Sequence, residues 1–74
     1  MELKEDQVLQ SVGGQLKKLR EKKGWTLRDL ADYSGIDNSR LSKIEQGKIN
    51  ITLLTLIELS LVLETSPARL LSKL

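Results

Sequence analysis

The chain has no cysteine, no histidine and no phenylalanine, and only one proline, one tryptophan and one tyrosine. Each absence excludes something. Without cysteine there is neither a disulfide nor a thiolate site. Without histidine no side chain of ordinary pKa serves as a general base near neutral pH. Only carboxylates and backbone oxygens remain for a first-row metal. Two aromatic rings, Trp25 and Tyr33, are too few for single-strand nucleic-acid modules, which stack successive bases on aromatic side chains. The longest apolar run, Leu61-Val62-Leu63, is far too short to span a bilayer. The polar, acidic start MELKEDQVLQ is unlike a signal peptide, which needs a basic stretch followed by an apolar one. No Gly-rich phosphate loop is present. The expectation is a cytoplasmic protein that is not an enzyme and uses no metal, cofactor or small-molecule ligand.

What is present is charge and leucine. The 74 residues suffice for one domain. A domain this small buries only about 60% of its unfolded surface, so apolar helix packing, with or without a second subunit, must hold it together. The net charge of +2 hides an asymmetry. Residues 1–16 carry −2 and residues 49–74 are neutral, while residues 17–48 set nine Lys and Arg against five Asp and Glu, a local +4. A basic segment of that kind attracts polyanions even where net charge is small.

Nothing alternates in the two-residue period of a half-buried strand; apolar residues recur at helical spacing instead. Val12, Leu16 and Leu19 give one face to a first helix that runs to about Lys23, stopped by Gly24. Gly13 and Gly14 mark either a close backbone approach or a fray point. Residues 1–11 are then an N-terminal arm or an extension of this helix, and residues 12–74 the domain proper. Thr26, with Asp29 three residues on, is a capping-box variant opening a second helix, Leu27–Tyr33, with Leu30 and Ala31 inward. Asp37 caps a third, about Asn38–Gln46, closed by Gly47. Thr52 caps a fourth, Leu53–Leu63. Ser66-Pro67 opens a fifth that runs to near Leu74, with proline at the first helical position. The fold class is all-α, with five helices.

Helices two and three are joined by Ser34-Gly35-Ile36. A short Gly-containing turn between two short helices is the helix-turn-helix arrangement, in which the second helix enters the DNA major groove. Helix three lies within YSGIDNSRLSKIEQG, residues 33–47, where Ile36, Leu41 and Ile44 point inward. Asn38, Ser39, Arg40, Lys43 and Gln46 are left for the other face. Such side chains pair with base edges, and they equally suit a solvated surface.

Over residues 12–71 the chain resembles the phage repressor and Cro type helix-turn-helix family, also called the xenobiotic-response-element family. The resemblance rests on L-x-x-L-R-x-x-x-G at Leu16–Gly24, T-x-x-x-L-A at Thr26–Ala31, G-I-D-x-S-x-L-S-x-I-E-x-G at Gly35–Gly47, and L-x-x-S-P-x-x-L-L at Leu63–Leu71. It implies a compact, lambda-repressor-like five-helix domain that binds double-stranded DNA. By the same resemblance Asn38, Ser39, Arg40 and Lys43 contact bases. Lys17, Thr26, Gln46, Lys48 and Asn50 resemble phosphate-contact positions, and Arg20 and Glu45 resemble a structural ion pair between helices one and three. Leu27 stands where the family often has a phosphate-contacting Gln, and Ile51 where it often has Pro.

The fourth helix is apolar on two sides. Leu53, Leu56, Ser60 and Leu63 share a face suited to the core, which Leu59 borders, while Leu54, Ile57 and Leu61 lie on another. A helix apolar on two sides must bury both. A homodimer on a palindromic operator would cover the outer stripe; the alternative is that the N-terminal arm, with Leu3, Val8 and Leu9, folds back over it. The leading reading is a sequence-specific transcriptional regulator, such as a phage-type repressor or a restriction–modification controller, in a bacterial or phage setting. The other is an interaction module of the same fold, an antitoxin or a coactivator bridge.

Overall fold

A computed structural model describes residues 4–74. Its elements are α1 (Glu5–Lys22), α2 (Leu27–Ser34), α3 (Asn38–Glu45), α4 (Leu53–Val62) and α5 (Pro67–Leu70), with no strand among the described residues. Each helix contributes one leucine to the centre: Leu16, Leu30, Leu41, Leu59 and Leu70, none more than 1% exposed. Val12, Ile44, Leu56 and Leu63 complete the buried cluster. Burying a leucine side chain is worth about 1.5–3 kcal/mol, so this small centre supplies most of what ties five short helices together.

The helix starts follow side-chain chemistry. Thr26 and Asp29 form a reciprocal capping box: the Asp29 N–H donates to Thr26 Oγ1 at 3.1 Å, and the Thr26 N–H donates to Asp29 Oδ2 at 2.8 Å. Thr52 and Ser66 cap α4 and α5 through their hydroxyls, which accept from Thr55 N and Arg69 N. α3 ends at Gly47, whose φ of 73° is the left-handed region that glycine enters without a Cβ penalty. The Lys48 N–H reaches back to Lys43 O and that of Gly47 to Ile44 O, which satisfies two carbonyls at the helix end.

α1 begins at Glu5, so residues 5–11 extend the helix, one of the two arrangements the sequence left open. Other boundaries and faces differ from the sequence expectation. α5 is only Pro67–Leu70; beyond it Leu71, Ser72 and Leu74 each donate three residues back, which winds the chain more tightly than an α-helix. Leu53, expected on the core face, is 69% exposed, because it opens α4 one turn before the buried set Leu56, Leu59, Ser60 and Leu63. Leu59, expected only to border that face, is fully buried.

Two close approaches decide how α1 meets α3. A Cβ on Gly13 would lie 2.3 Å from Ile44 O and 2.6 Å from Glu45 O, so α3's last turn rests directly on the α1 backbone. Gly14 has nothing within 4 Å. One turn earlier, Gln10 packs against Gly47, where an added Cβ would meet Gln10 Cα at 2.8 Å. Gln15, which sequence spacing did not single out, is 7% exposed and donates from Nε2 to Arg69 O and to Ser72 Oγ, each at 3.2 Å. It fastens α1 to the chain's last turns.

Candidate nucleic-acid interface

The outer face of α3 is set by what its inner face must bury. Leu41 and Ile44 are 0% and 3% exposed, and that fixes the helix's rotation. Asn38, Ser39, Arg40 and Lys43 are left exposed. Gly35, at φ 75°, turns the chain sharply between α2 and α3, and half-buried Ile36 packs on the core just after it. Ala31, a small residue before the turn, also packs on the core.

Asp37 organises the first turn of α3. Its Oδ2 accepts from the N–H of Ser39 at 3.0 Å and from that of Arg40 at 3.3 Å. It also accepts from the Ser39 hydroxyl. That hydroxyl bond, the Arg40 and Ser39 N–H groups and the nearby Lys43 charge hold the Asp37 carboxyl below the usual carboxylate range, against the opposing effect of desolvation. The sequence marked Asp37 as a cap; the D-x-S spacing is the signal that its carboxylate would also engage Ser39.

The expected phosphate contacts are all exposed, but their surroundings differ. Thr26 has its N–H committed to Asp29, and the Asp29 carboxylate already occupies the start of α2. The Asp29 N–H is likewise spent on Thr26 Oγ1, so the Thr26 hydroxyl proton and the first-turn N–H groups of Leu27 and Arg28 are what this helix start has left to donate. Gln46 donates from Nε2 to Ser42 Oγ at 2.8 Å, lying back along α3 and keeping its other N–H free of that bond. Lys17 is one turn beyond Gly13 on the side of α1 that meets α3. Lys48 and Asn50 follow Gly47, where the α1 extension braces the loop. Leu27, at the position where the family often has Gln, packs against the core.

Arg20 and Glu45 meet in a bidentate pair. Arg20 Nε lies 2.7 Å from Glu45 Oε2 and Nη2 lies 2.9 Å from Oε1, with side-chain exposures of 9% and 5%. Arg20 Nη1 donates to Trp25 O at 2.7 Å. The hydrogen bonds to Glu45 raise the Arg20 pKa further above its ordinary value, against the opposing effect of burial. The pair ties α1, α3 and the α1–α2 turn together. Trp25 packs on the core and stacks on Tyr33 with ring centroids 4.5 Å apart, and Lys23 Nζ sits 5.1 Å from the Trp25 ring centroid. The two rings cover each other.

The outer stripe of α4 is open. Leu54 and Leu61 are each 70% exposed, and Ile57 between them is half-buried. Val8 and Leu9 do not cover the stripe; they line a groove with Ile51, Leu53, Leu56 and Leu71. Leu3 lies outside the described residues. Among those residues no cluster of carboxylates could hold a metal ion, and no helix is long and apolar enough to cross a membrane.

A polar helix held outward by a Gly-centred turn, on a five-helix core, defines a helix-turn-helix domain of lambda-repressor-like architecture. The profile of the HTH_3 helix-turn-helix family matches residues 16–70, and the chain belongs to that family of DNA-binding transcriptional regulators. It is 37% identical over 59 residues to the HTH-type transcriptional regulator y4dJ of Sinorhizobium fredii, covering 80% of this chain and 77% of that one. It is 45% identical over 40 residues to the transcriptional repressor RghR of Bacillus subtilis, a match spanning 54% of this chain but only 30% of the repressor. Among solved structures, the restriction-modification controller protein C.AhdI from Aeromonas hydrophila superposes with a TM-score of 0.80 at 34% identity, over 84% of this chain and 94% of that one. The clp gene regulator ClgR from Corynebacterium glutamicum gives 0.86 at 30% identity, over 89% of this chain and 85% of that one. These relatives are transcriptional regulators rather than enzymes.

Proposed function

We propose that the chain reads a specific double-stranded DNA sequence and does so as a homodimer on a palindromic operator, regulating transcription. The observation that carries this reading is the outer face of α3: four exposed polar side chains, Asn38, Ser39, Arg40 and Lys43, on a helix whose opposite face is wholly buried. Asn pairs bidentately with adenine, and Arg or Lys with guanine O6 and N7. Lys17, Thr26, Gln46, Lys48 and Asn50 surround that face as phosphate contacts, which fix register without carrying sequence information. The open stripe at Leu54, Ile57 and Leu61 is the contact between the two copies; a continuous apolar stripe of this kind marks a partner site. A two-fold axis would set the recognition helices one DNA turn apart, about 34–36 Å.

Selection from random duplexes, followed by binding measurements across a salt series, tests the reading. Asn38→Ala and Arg40→Ala should each cost about 1–3 kcal/mol on the selected sequence and relax the preference at one position. Lys48→Ala should weaken all duplexes alike and lower the salt slope by about one unit. Operator affinity untouched by all three substitutions would reject this docking. No sequence preference at all in the wild-type chain would leave the interaction module, an antitoxin or a coactivator bridge, as the better account.

A further inference from the structure

We propose that Ser39 acts at a base edge only as a hydrogen-bond acceptor, and that Asp37 imposes this polarity, so the contacted base must present an exocyclic amino group, adenine N6 or cytosine N4. The inference rests on the DNA-reading role of α3 and sharpens it.

A serine hydroxyl ordinarily serves either way, because it carries one proton and two lone pairs and rotates to suit its partner. At the start of α3 it does not have that freedom. Its proton points to Asp37 Oδ2, and a bond to a carboxylate is roughly twice as strong as one between neutral groups. Turning the proton toward a base acceptor would give up that bond beside an exposed negative charge. What Ser39 offers outward is therefore its lone pairs. Two consequences follow. Phosphate, which is all acceptor and negatively charged, is repelled by the Ser39–Asp37 unit. Guanine O6 and N7 and thymine O4, also acceptors, find no partner there, whereas the amino groups of adenine and cytosine do.

The neighbours make this polarity informative. Arg40 and Lys43 are donors only and by themselves favour guanine and phosphate together, while Asn38 both donates and accepts. One obligate acceptor among them adds a requirement of the opposite kind. Asp37 is a positioning residue in this scheme: it acts through the Ser39 hydroxyl.

The test is base selection on random duplexes with the full chain, in wild type, Ser39→Ala, Ser39→Thr and Asp37→Gly, with helicity checked by circular dichroism. Glycine is tolerated at a helix N-cap at a cost of only a few tenths of a kcal/mol, so Asp37→Gly frees the hydroxyl while keeping the helix. The wild type should select adenine or cytosine at one position of each half-site. Removing that amino group, by placing purine for adenine or 2-pyrimidinone for cytosine, should weaken wild-type binding about two- to tenfold and leave Ser39→Ala unaffected. Ser39→Thr should retain the preference. Asp37→Gly should relax it to admit guanine or thymine, a change that a merely structural role for Asp37 would not produce. Selection of guanine or thymine at the position that Ser39→Ala alters overturns the proposal. A profile unchanged in Ser39→Ala, or unchanged in Asp37→Gly, overturns it as well. A wild-type chain that selects no position at all refutes the DNA-reading role itself, and the two failures are thereby told apart.

Discussion

Arg20 spends all three of its nitrogens inside the protein, two on Glu45 and one on the Trp25 carbonyl. Its charge is compensated only because that geometry is complete. Arg20→Met removes one partner and leaves a nearly buried carboxylate, an error that costs as much as ~3–5 kcal/mol. For a domain of this length the melting temperature should fall by more than about 10 °C; an unchanged thermal denaturation curve would contradict the assigned role of the pair. Asp37 makes a different prediction, in pH. Its folded pKa is depressed, so its contribution to stability is fully present above the unfolded value of about 3.9 and is lost as pH falls through the folded one. Asp37→Asn keeps a capping oxygen without the charge. The wild type should melt higher than this variant at pH 7, and the gap should close as pH falls below the ordinary carboxylate value of about 3.9. A gap that stays constant on acidification would show that the charge does not matter.

At the scale of elements, α1 and α4 carry the informative asymmetries. Gly13 and Gly14 are adjacent and have opposite consequences. Gly14→Ala adds a methyl group to open space in mid-helix and should stabilise by about 1 kcal/mol through helix propensity. Gly13→Ala drives a methyl group into two backbone carbonyls of α3, which cannot swing away as a side chain can. It should destabilise by about 1–3 kcal/mol or more. Denaturant titration of the two variants should move the midpoint in opposite directions, and parallel shifts would refute the close approach. The acidic first turn of α1, Glu5 and Asp6, suits the positive end of a helix, and this helps residues 5–11 to be helix rather than arm.

The whole molecule presents two surfaces, a polar one on α3 and an apolar one on α4. The second surface sets the oligomeric state that we propose. Sedimentation at micromolar concentration should show a dimer. Leu61→Glu should give a monomer with unchanged helicity, because Leu61 is 70% exposed and makes no core contribution. A clean wild-type monomer, or a dimer indifferent to this change, would remove the α4 stripe as the contact.

Much of this protein is written in short-range chemistry. Thr26, Asp37, Thr52 and Ser66 mark four helix starts, because a capping side chain needs only its own next two or three residues. Gly24, Gly35 and Gly47 mark turns for an equally local reason, their positive φ. The polar face of α3 follows from the periodicity of Leu41 and Ile44. The positions decided elsewhere are those that depend on another element. Periodicity put Leu53 inward, but it stands at the rim of an open groove beside Val8, Leu9 and Leu71 and stays 69% exposed. Gln15 gave no sequence signal, because its acceptors lie 54 and 57 residues away. Of two identical neighbours, Gly13 and Gly14, only the arrival of α3 distinguishes one from the other. Helix propensity, capping and turn geometry act over a few residues and can be read in order along the chain. Contact across the core depends on where five helices come to rest together, and only the folded structure contains that.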